Sequence, residues 1–365
     1  MKAMILCAGA GTRLQPFTFS TPKSLLPIFN KPIIDFIIEQ LKKHKIEKIV
    51  LNTSHFSNLI EEYAGNGSRY GVDIAVSFEG FLENDEIIPN PMGSAGGMKL
   101  IQDKWNFFDE TFIVLCGDAV INFDISAALK HHKKNNAIAT IITKKVSEEQ
   151  VSNYGIVVSN KKGLVSSFQE KPDIKEAKSN FANTGIYIFE PEVFKYIPTS
   201  EFYDIGGDLF PKLVKKNEKI YSYDSDVLWL DIGRVKDYIT ILRKILNNQI
   251  RGMNLFKKGD SGIKTENAVK IGKDVHIVPP VYISSGSIVE DGVNLIGPVF
   301  IGKNSIINGH TTIKNSFIGE YSKINFGSNI EDSYLTPDFY IDEEFNYVNT
   351  AQSKYKDSIK DWRRR

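Results

Sequence analysis

The sequence predicts an α/β domain with a mixed, mostly parallel sheet, followed by a left-handed parallel β-helix. Over residues 1–250, short apolar or β-branched segments alternate with amphipathic ones, which is typical of a sheet flanked by helices. Beyond that point an aliphatic residue recurs at every sixth position, which is typical of a hexapeptide solenoid. A length of 365 residues is compatible with two such domains.

The α/β prediction depends on short strand-like segments separated by helical ones. The predicted helices cover residues 33–44, 57–63 and 126–135. The predicted strands cover residues 3–7, 48–52, 73–78, 111–116 and 137–143, and three further strands at 156–158, 163–169 and 186–189 make the sheet mixed.

The solenoid prediction depends on a strict spacing of aliphatic residues. They stand six residues apart at Ile271, Ile277, Ile283, Val289, Leu295, Ile301, Ile307 and Ile313, and after the loss of one residue the pattern continues at Ile318, Ile324 and Ile330. Each six-residue rung then places one aliphatic side chain in a triangular interior. We therefore expect a linker over 251–268, the β-helix over 269–331 and a tail over 332–365.

Composition narrows the class of protein. A net charge of +1 gives no reason to expect nucleic acid or an acidic membrane as a partner. The chain has neither an 18-residue apolar run nor a signal peptide, so we expect no membrane association. Cys7 and Cys116 lie in apolar segments and are expected to be buried free thiols, which fits a cytoplasmic location.

A glycine-containing loop follows the first predicted strand. It reads AGAGTR at residues 8–13, and Lys23 follows ten residues after Arg13. Gly9 and Gly11 let backbone N–H groups approach phosphate oxygens, because no Cβ is in the way. Arg13 adds a forked permanent charge and Lys23 a point charge. The pattern favours a site for a triphosphate over a structural turn.

Two common nucleotide motifs do not fit this loop. The dinucleotide fingerprint requires a third glycine, and Leu14 stands in its place. A P-loop is excluded because no Gly-Lys-Ser/Thr follows.

Two aspartates directly follow apolar strand-like segments. Asp118 follows VLCG and Asp231 follows LWL. Each alone is compatible with a turn aspartate next to a glycine. Together, at strand ends that form the ligand crevice of an α/β sheet, they predict a site for one or two Mg²⁺ ions.

Further polar segments suggest contacts to a sugar and a base. Glu170, Lys171 and Asn183 are suited to sugar hydroxyls and a sugar phosphate, and Gly155 lets a pyranose lie against backbone. The segment PMGSAGG at 91–97 opens a helix and is suited to surround a flat base, although Ser94 as a simple helix cap is the alternative.

The histidines give weaker indications. We expect His131 and His132 to be exposed on a polar helix. His276 and His310 lie in the repeat, where a histidine serves as the base in some hexapeptide acyltransferases, but no partner carboxylate is evident for either. An acyltransferase activity in the solenoid is therefore a minor alternative.

The ordered set of motifs resembles that of the sugar-phosphate nucleotidylyltransferases. The loop from Gly9 to Thr18 with TPKSL at 21–25 resembles the opening motif of that family. GSAG at 93–96, GD at 117–118, EKP at 170–172, NTGIY at 183–187 and WLDIG at 229–233 match later motifs in the same order. The solenoid is the usual partner domain in the mannose-1-phosphate guanylyltransferase-like branch.

The resemblance implies a Rossmann-like nucleotidyltransferase domain in which a sugar 1-phosphate attacks the α-phosphorus of an NTP and pyrophosphate leaves. It implies that Arg13, Lys23 and Asp118 are catalytic and that Asp118 and Asp231 bind Mg²⁺. It places the sugar phosphate at Gly155, Glu170, Lys171 and Asn183. The nucleotide would contact Ala8, Gly9, Gly11, Thr12, Arg13, Gly93, Ser94 and Gly96.

The sequence favours GTP and mannose 1-phosphate as substrates, with UTP or dTTP and glucose 1-phosphate as the alternative. A catalytically silent regulatory subunit of the same fold is a further alternative. An acidic segment at 80–90, with Glu83, Asp85 and Glu86, is inserted before the predicted base loop and leaves the choice of base open. We also expect a homo-oligomer, because hexapeptide solenoids have flat faces and open ends.

Overall fold

The computed structural model describes residues 1–84, 86–224 and 226–364. The chain forms two compact units. The α/β unit comprises Met1–Thr12, Ser20–Leu26 and Ile33–Asp231. The solenoid unit comprises Ile232 onward together with two short N-terminal segments, Arg13–Phe19 and Pro27–Pro32.

Strands and helices are interspersed over residues 1–250, where the sequence predicts them. The strands are β1 (Lys2–Cys7), β2 (Pro27–Ile28), β3 (Lys31–Pro32), β4 (Lys48–Thr53), β5 (Asp73–Phe78), β6 (Gly80–Glu83), β7 (Glu86–Pro89), β8 (Phe112–Cys116), β9 (Ala119–Asn122), β10 (Ala139–Lys145), β11 (Gly155–Ser159), β12 (Val165–Glu170), β13 (Phe181–Phe189), β14 (Ile220–Asp224) and β15 (Leu228–Asp231). The α-helices are α1 (Ile33–Lys43), α2 (Ser57–Ala64), α3 (Ser94–Trp105), α4 (Ile125–Lys134), α5 (Phe210–Lys215) and α6 (Val235–Leu246).

The α/β unit is built on a mixed sheet with the strand order β12-β11-β13-β8-β1-β4-β5. Strand β10 lies between β13 and β14. Strands β8, β1, β4 and β5 are mutually parallel, whereas β13 is antiparallel to both β8 and β10. The predicted mixed, mostly parallel sheet is therefore confirmed. Because β1, β4 and β8 are parallel, their carboxyl ends meet at one edge.

Apolar periodicity explains the central elements of this unit. Almost every residue of β1 and β8 is apolar, and their central residues are buried, as expected for parallel strands covered on both faces. Helix α1 buries Ile33, Ile34, Ile37, Ile38 and Leu41, which recur at helical spacing and form one apolar face.

The acidic segment at 80–90 forms an antiparallel hairpin. Strands β6 and β7 pair from Gly80 opposite Pro89 to Glu83 opposite Glu86. Asp85, which contributes to the acidic character predicted for this segment, lies outside the described residues.

The expectation that His132 is exposed is wrong. The side chain is fully buried, and its ring nitrogens lie 2.8 Å from Thr140 Oγ1 and 3.1 Å from Glu190 Oε1. Glu190 also accepts a hydrogen bond from Thr111, so the ring is held in a polar network rather than in solvent. Burial lowers the pKa of His132, and the negative charge of Glu190 opposes that shift. His131, one residue earlier, is partly exposed.

The solenoid unit contains short strands stacked in coils. They are β16 (Ile263–Thr265), β17 (Lys270–Ile271), β18 (His276–Val278), β19 (Val281–Ile283), β20 (Ile288–Val289), β21 (Asn294–Ile296), β22 (Val299–Ile301), β23 (Ile306–Ile307), β24 (Thr312–Lys314), β25 (Phe317–Ile318), β26 (Ser322–Ile324), β27 (Asn329–Glu331), β28 (Tyr334–Leu335), β29 (Phe339–Ile341), β30 (Tyr347–Asn349) and β31 (Ile359–Asp361).

Three parallel sheets form the faces of a left-handed β-helix. Their strand orders are β16-β19-β22-β25-β28, β17-β20-β23-β26 and β18-β21-β24-β27. Ile283 stands opposite Ile301, one coil of three hexapeptides later, and both are fully buried. The hexapeptide prediction is therefore confirmed. The parallel pairing begins at β16, inside the segment 251–268, and continues through β28, past residue 331.

Two coils are one residue short, the first because of the residue lost after Ile313 and the second because the step from Ile330 to Leu335 is also five residues. Ile301 pairs with Ile318, and Ile318 pairs with Leu335. Both spans are one residue shorter than the Ile283 to Ile301 span, yet all of these side chains remain fully buried. The interior row of aliphatic residues therefore tolerates a shortened turn without a change of face.

The first coil departs from the predicted interior pattern. Ile271 is 44% exposed and Ile277 is half-buried, whereas every later member of the series is buried. The reason is that β17 and β18 are edge strands, each paired with a coil on one side within its sheet.

The tail leaves the repeat and caps the solenoid. Strand β31 pairs antiparallel with β26 and extends the second sheet. Ile359 and Tyr355 are buried against the aliphatic interior, and the indole N–H of Trp362 donates to the Asn304 carbonyl at 2.6 Å. Pairing the last strand in this way covers an edge that would otherwise be open to other strands.

Replacing an interior aliphatic residue should destabilise the solenoid far more than replacing its outward neighbour. Ile307 is fully buried and Ile306 only partly so. We expect Ile307→Ala to lower the free energy of unfolding by about 2–5 kcal/mol, because it leaves a cavity in a close-packed interior. Urea unfolding followed by circular dichroism measures this, with Ile306→Ala as the control. Equal effects of the two substitutions would contradict the interior row.

Candidate functional site

A cavity of about 270 Å³ opens at the carboxyl ends of β1, β4 and β8 in the α/β unit. This is the edge at which ligands bind in open α/β sheets. Backbone and small side chains form much of its wall. Its lining residues are Leu6, Cys7, Ala8, Gly9, Lys23, Ser24, Asn52, Glu79, Pro91, Gly93, Ser94, Cys116, Gly117, Asp118 and Phe202. Six of the predicted site residues are therefore brought together, namely Ala8, Gly9, Lys23, Gly93, Ser94 and Asp118.

Gly9 of the first loop keeps one wall of this cavity open. A Cβ on Gly9 would meet no atom within 4 Å, so the backbone there is accessible. Gly11 has a φ of +67°, a left-handed conformation that favours glycine. The wall therefore presents backbone to the cavity, as the phosphate-loop prediction requires.

A third glycine brings the strand that carries Asp118 close to this loop. The Gly117 N–H donates to the Leu6 carbonyl at 2.9 Å. A Cβ on Gly117 would lie 2.7 Å from Cys7 Sγ, which is closer than real contacts allow. Position 117 therefore needs glycine for Asp118 to lie beside the end of β1.

An ion pair joins two of the predicted catalytic residues. Lys23 Nζ contacts Asp118 Oδ2, although 95 residues separate them in the chain. The two side chains are only 14% and 34% exposed, so solvent and salt screen this pair less than a surface pair. A positive and a negative group thus meet at the cavity wall.

Asp231 lies beside Asp118 in the same unit. Strands β15 and β9 are antiparallel, and Asp231 pairs with Ala119, the residue after Asp118. Burial raises the pKa of the Cys116 thiol, and the negative charges of Asp118 and Asp231 add to that rise. The charges of both carboxylates therefore raise the pKa of the same thiol, at the end of β8.

The two thiols of the cavity are not activated. Burial raises the pKa of Cys7 to about 12, so the thiol is protonated at neutral pH. Both cysteines are free, in line with the sequence-based expectation.

The predicted base loop is held by a neighbouring segment through its backbone. Ala95 N and Gly96 N both donate to the Tyr203 carbonyl at 2.9 Å, and Tyr203 N donates to Met92 O at 2.9 Å. Gly93 has a φ of +77°, and its missing side chain leaves room for Tyr203. Gly96 is buried with its N–H engaged, so its role here is to shape the loop.

The Ser94 hydroxyl is used within the protein. It donates to Asp204 Oδ1 at 2.6 Å and accepts from Ile205 N at 2.8 Å. The side chain therefore ties the start of α3 to residues 204–205, and the Ser94 N–H also donates to Asp204 Oδ1, at 3.4 Å.

Glu79 is a buried carboxylate that sequence reasoning missed. Its side chain accepts a hydrogen bond from Asn52 Nδ2 and another from Met92 N, the latter at 2.9 Å. Burial raises the pKa of Glu79, and the hydrogen bonds from Met92 and Asn52 oppose the shift. A Cβ on Gly97 would lie 2.1 Å from Glu79 Oε1, so the helix start depends on glycine there.

The predicted sugar residues form a second group in the same unit. Gly155 pairs with Glu170, and a Cβ on Gly155 would lie 2.6 Å from the Phe168 ring. Asn183 donates to the Tyr187 hydroxyl at 2.9 Å and accepts from Gly185 N at 3.1 Å. A Cβ on Gly185 would lie 2.4 Å from Cys116 Sγ, so this group adjoins the cavity through Cys116.

Lys171, Gly11 and Thr12 are not among the residues that line that cavity. Lys171 forms an exposed ion pair with Glu170 at 3.0 Å. Thr12 and Arg13 are exposed, and Gly11 is partly exposed. Arg13 belongs to the solenoid unit, where burial raises the pKa of Asp237 and the charges of Arg234 and Arg13 oppose that rise.

Two of the residues that sequence reasoning missed could have been found by looking for polar residues at strand ends. Glu79 directly follows the strand 73–78, just as Asp118 follows an apolar strand, and Asn52 ends the strand 48–52. The same test for polar residues at strand ends would have selected both. Phe202 carries no such signal, because it lies in a polar connection far along the chain.

Comparisons with known proteins identify the family. Residues 2–248 match the family described as nucleotidyl transferase. A UTP–glucose-1-phosphate uridylyltransferase of Synechocystis sp. is 44% identical over 94% of this chain and 89% of its own length. A mannose-1-phosphate guanyltransferase of Yarrowia lipolytica is 33% identical over 96% and 94%.

The chain belongs to the sugar-phosphate nucleotidylyltransferases. The resemblance drawn from the motifs is confirmed, including the likeness to mannose-1-phosphate guanylyltransferases along the whole chain, solenoid included. A structure from Bacillus anthracis, described as a glucose-1-phosphate thymidylyltransferase, has the same fold with a TM-score of 0.58 at 24% identity, and it covers 71% of this chain and 98% of its own. In the described part of this chain, we find no helix with the length and apolar character of a membrane span.

Substituting Glu79→Gln should change the pH dependence of stability. The raised pKa of Glu79 means that the folded state favours the protonated carboxyl. Its contribution to stability is therefore present at low pH and is lost as the pH rises through the raised pKa. Between about pH 4 and pH 8, we expect the melting temperature of the wild type to fall relative to that of Glu79→Gln, because glutamine stays neutral.

The control for this measurement is Glu192→Gln, a substitution outside the cavity. We expect its pH profile to follow that of the wild type. Parallel profiles of the wild type and the Glu79→Gln variant would show that folding does not raise the pKa of Glu79.

Proposed function

We propose that this enzyme transfers the uridylyl group of UTP to glucose 1-phosphate, which yields UDP-glucose and pyrophosphate. The observation that carries the choice of substrates is the 44% identity to a uridylyltransferase over almost the whole chain. GTP and mannose 1-phosphate, the pair favoured by the sequence motifs, form the second candidate. It is supported by guanylyltransferase relatives at 31–33% identity.

The reaction needs positioning and charge neutralisation more than a protein nucleophile. An oxygen of the sugar phosphate attacks the α-phosphorus in line, a new P–O bond forms, and the bond to the β-phosphate oxygen breaks as pyrophosphate leaves. The unactivated thiols of Cys7 and Cys116 are in keeping with a mechanism that has no covalent enzyme intermediate.

The first loop would hold the triphosphate. Backbone N–H groups from Ala8 to Thr12 are suited to phosphate oxygens, and Arg13 is assigned to the β- and γ-phosphates. Lys23 would offset the charge that develops at the α-phosphoryl group. Its pairing with Asp118 supports this role, because the pair keeps the ammonium at the cavity wall before substrates arrive.

The acidic residues fit Mg²⁺. Asp118 and Asp231 supply hard carboxylate oxygens from neighbouring strand ends. Among the described residues, no cluster of three or more His, Cys, Asp or Glu side chains is arranged to hold a metal. Mg²⁺ commonly takes one or two carboxylates and completes its shell with water and substrate phosphates, so two aspartates suffice. When bound, it would neutralise phosphate charge.

The sugar phosphate would bind on the Gly155 side. Glu170 and Asn183 offer acceptors and donors for hydroxyl groups, and Gly155 presents backbone. Lys171 would meet the phosphate after leaving its exposed ion pair with Glu170, which has little energetic cost at a surface.

The buried acid of the cavity supports a base with a ring N–H. Glu79 and Asn52 line the cavity beside the base loop. Uracil, thymine and guanine each carry a ring N–H that can donate to a carboxyl oxygen of Glu79, whereas adenine and cytosine carry none in their usual forms. This chemistry favours UTP, dTTP and GTP over ATP and CTP, and it leaves the choice among the first three to a direct test.

A matrix of nucleoside triphosphates against sugar 1-phosphates, scored by pyrophosphate release, tests the proposed substrates. We expect the highest kcat/KM with UTP and glucose 1-phosphate, and activity only with Mg²⁺ present. A maximum at GTP and mannose 1-phosphate would select the second candidate. Release with no pair would favour a catalytically silent subunit, which would still bind a nucleotide sugar.

Substituting Asp118→Asn should remove most of the activity and leave the fold intact. The metal loses an anionic ligand and Lys23 loses its partner, so we expect kcat to fall roughly a hundredfold or more. Pyrophosphate release and thermal unfolding measure the two effects. Asp173→Asn, an exposed aspartate of the same unit, serves as the control and should keep normal activity. A near-normal rate for Asp118→Asn would remove Asp118 from the mechanism.

A further inference from the structure

Phe202 is an exposed aromatic side chain at the substrate cavity. Its side chain is 65% exposed, yet it is one of the residues that line the cavity. An aromatic ring left largely in water forgoes the favourable burial that most phenylalanines obtain. The position therefore calls for an explanation in terms of what the ring contacts when the cavity is filled.

The backbone that carries Phe202 is firmly attached to the base loop. Next to it, Tyr203 makes three backbone hydrogen bonds of 2.9 Å, to Met92 O and from Ala95 N and Gly96 N. On the other side, the Glu201 carbonyl lies 2.8 Å from the position of a Cβ on Gly96. The exposure of Phe202 is therefore not that of an unattached loop.

The following residues strengthen this attachment. Asp204 accepts from the Ser94 hydroxyl at 2.6 Å, and Ile205 N donates to the same hydroxyl at 2.8 Å. Asp204 N also donates to Asp208 Oδ2 at 2.8 Å. The three residues that follow Phe202 are thus held to the segment 92–96, which positions the ring relative to Gly93.

The wall beside Phe202 suits a flat ligand. Gly93 and Pro91 line the same cavity, and neither extends a long side chain into it. The base is the flat aromatic part of a nucleoside triphosphate, whereas the phosphates need the N–H groups and the cations found at the first loop and at Lys23. An aromatic side chain is suited to the π-face of a base.

We propose that Phe202 stacks on the nucleobase of the bound nucleoside triphosphate and so sets nucleotide affinity. This rests on the proposed function, because it assigns the base of its donor substrate to this part of the cavity. The ring covers whichever base is bound, since every base has a π-face, while hydrogen bonds from other residues choose among bases. Phe202 is then a binding residue whose effect lies in KM for the nucleotide.

The first test compares Phe202→Ala with wild type in pyrophosphate release from the full chain. Loss of one stacking contact should raise KM for the nucleotide by roughly 5- to 100-fold. We expect kcat and KM for the sugar 1-phosphate to stay within about twofold of wild type. Phe202→Trp should keep a nucleotide KM close to that of wild type, because indole also stacks.

Phe326→Ala is the matched control. Phe326 is 69% exposed and lies in the solenoid unit, so its removal should leave all kinetic constants unchanged. Melting temperatures of the variants check the fold, which a largely exposed ring should hardly affect.

A binding measurement separates the base from the rest of the nucleotide. Calorimetry with UMP, GMP and ribose 5-phosphate uses ligands that share a phosphorylated ribose, of which the last lacks a base. We expect Phe202→Ala to weaken binding of the nucleotide that wild type prefers and to leave ribose 5-phosphate unaffected.

Three outcomes would overturn the assignment. An unchanged nucleotide KM would show that the ring does not touch the nucleotide. A raised KM for the sugar 1-phosphate alone would place the ring over the sugar. Equal weakening of UMP and ribose 5-phosphate would place it on the ribose.

Failure of the proposed function is distinguishable from all three. In that case the wild type itself would release no pyrophosphate with any pair of nucleotide and sugar phosphate. The calorimetric binding measurements would still decide the role of Phe202. A wild type that binds none of the three ligands would overturn the assignment of the base to this cavity.

Discussion

The buried carboxylate of Glu79 connects the two sides of the cavity on which the rest of the site depends. It accepts from Asn52 at the end of β4 and from the backbone of Met92 just before the base loop, and it leaves no room for a side chain on Gly97. An acid in such a place is costly to ionise, so its partners must be positioned well. The hydrogen bonds of Glu79 thus connect the end of β4 to the segment before α3. Tyr203 bonds to that same segment and carries Phe202 next to it.

The other side of the cavity is organised by charge. Lys23 and Asp118 come from distant parts of the chain and form a partly buried pair, and Asp231 pairs in the sheet with Ala119, the residue after Asp118. Gly117 makes this possible because a side chain there would collide with Cys7. The cavity wall therefore offers both signs of charge to the nucleotide that we propose as its ligand, before that ligand binds.

Sequence reasoning succeeded where a pattern repeats or where a polar or charged residue directly follows a strand. The six-residue spacing determined the inward row from Ile283 to Ile330, because only one face of each rung is buried. It misjudged Ile271, since exposure at an edge coil depends on what lies beside it. It also misjudged His132, because its partner Thr140 lies on β10 and its partner Glu190 directly follows β13, and neither can be read from the helix alone.

The sequence by itself determined the fold class and the order of the motifs, and it supplied the residue types that we expect of a phosphate and metal site. Local periodicity and composition decide these, because they reflect which side of an element is buried. Only the tertiary structure decided which motifs share a cavity, that Gly96 and Ser94 are engaged by Tyr203, Asp204 and Ile205, and that Phe202 lies at the cavity wall. These depend on backbone groups from remote segments meeting at hydrogen-bond distance, which no one-dimensional pattern records.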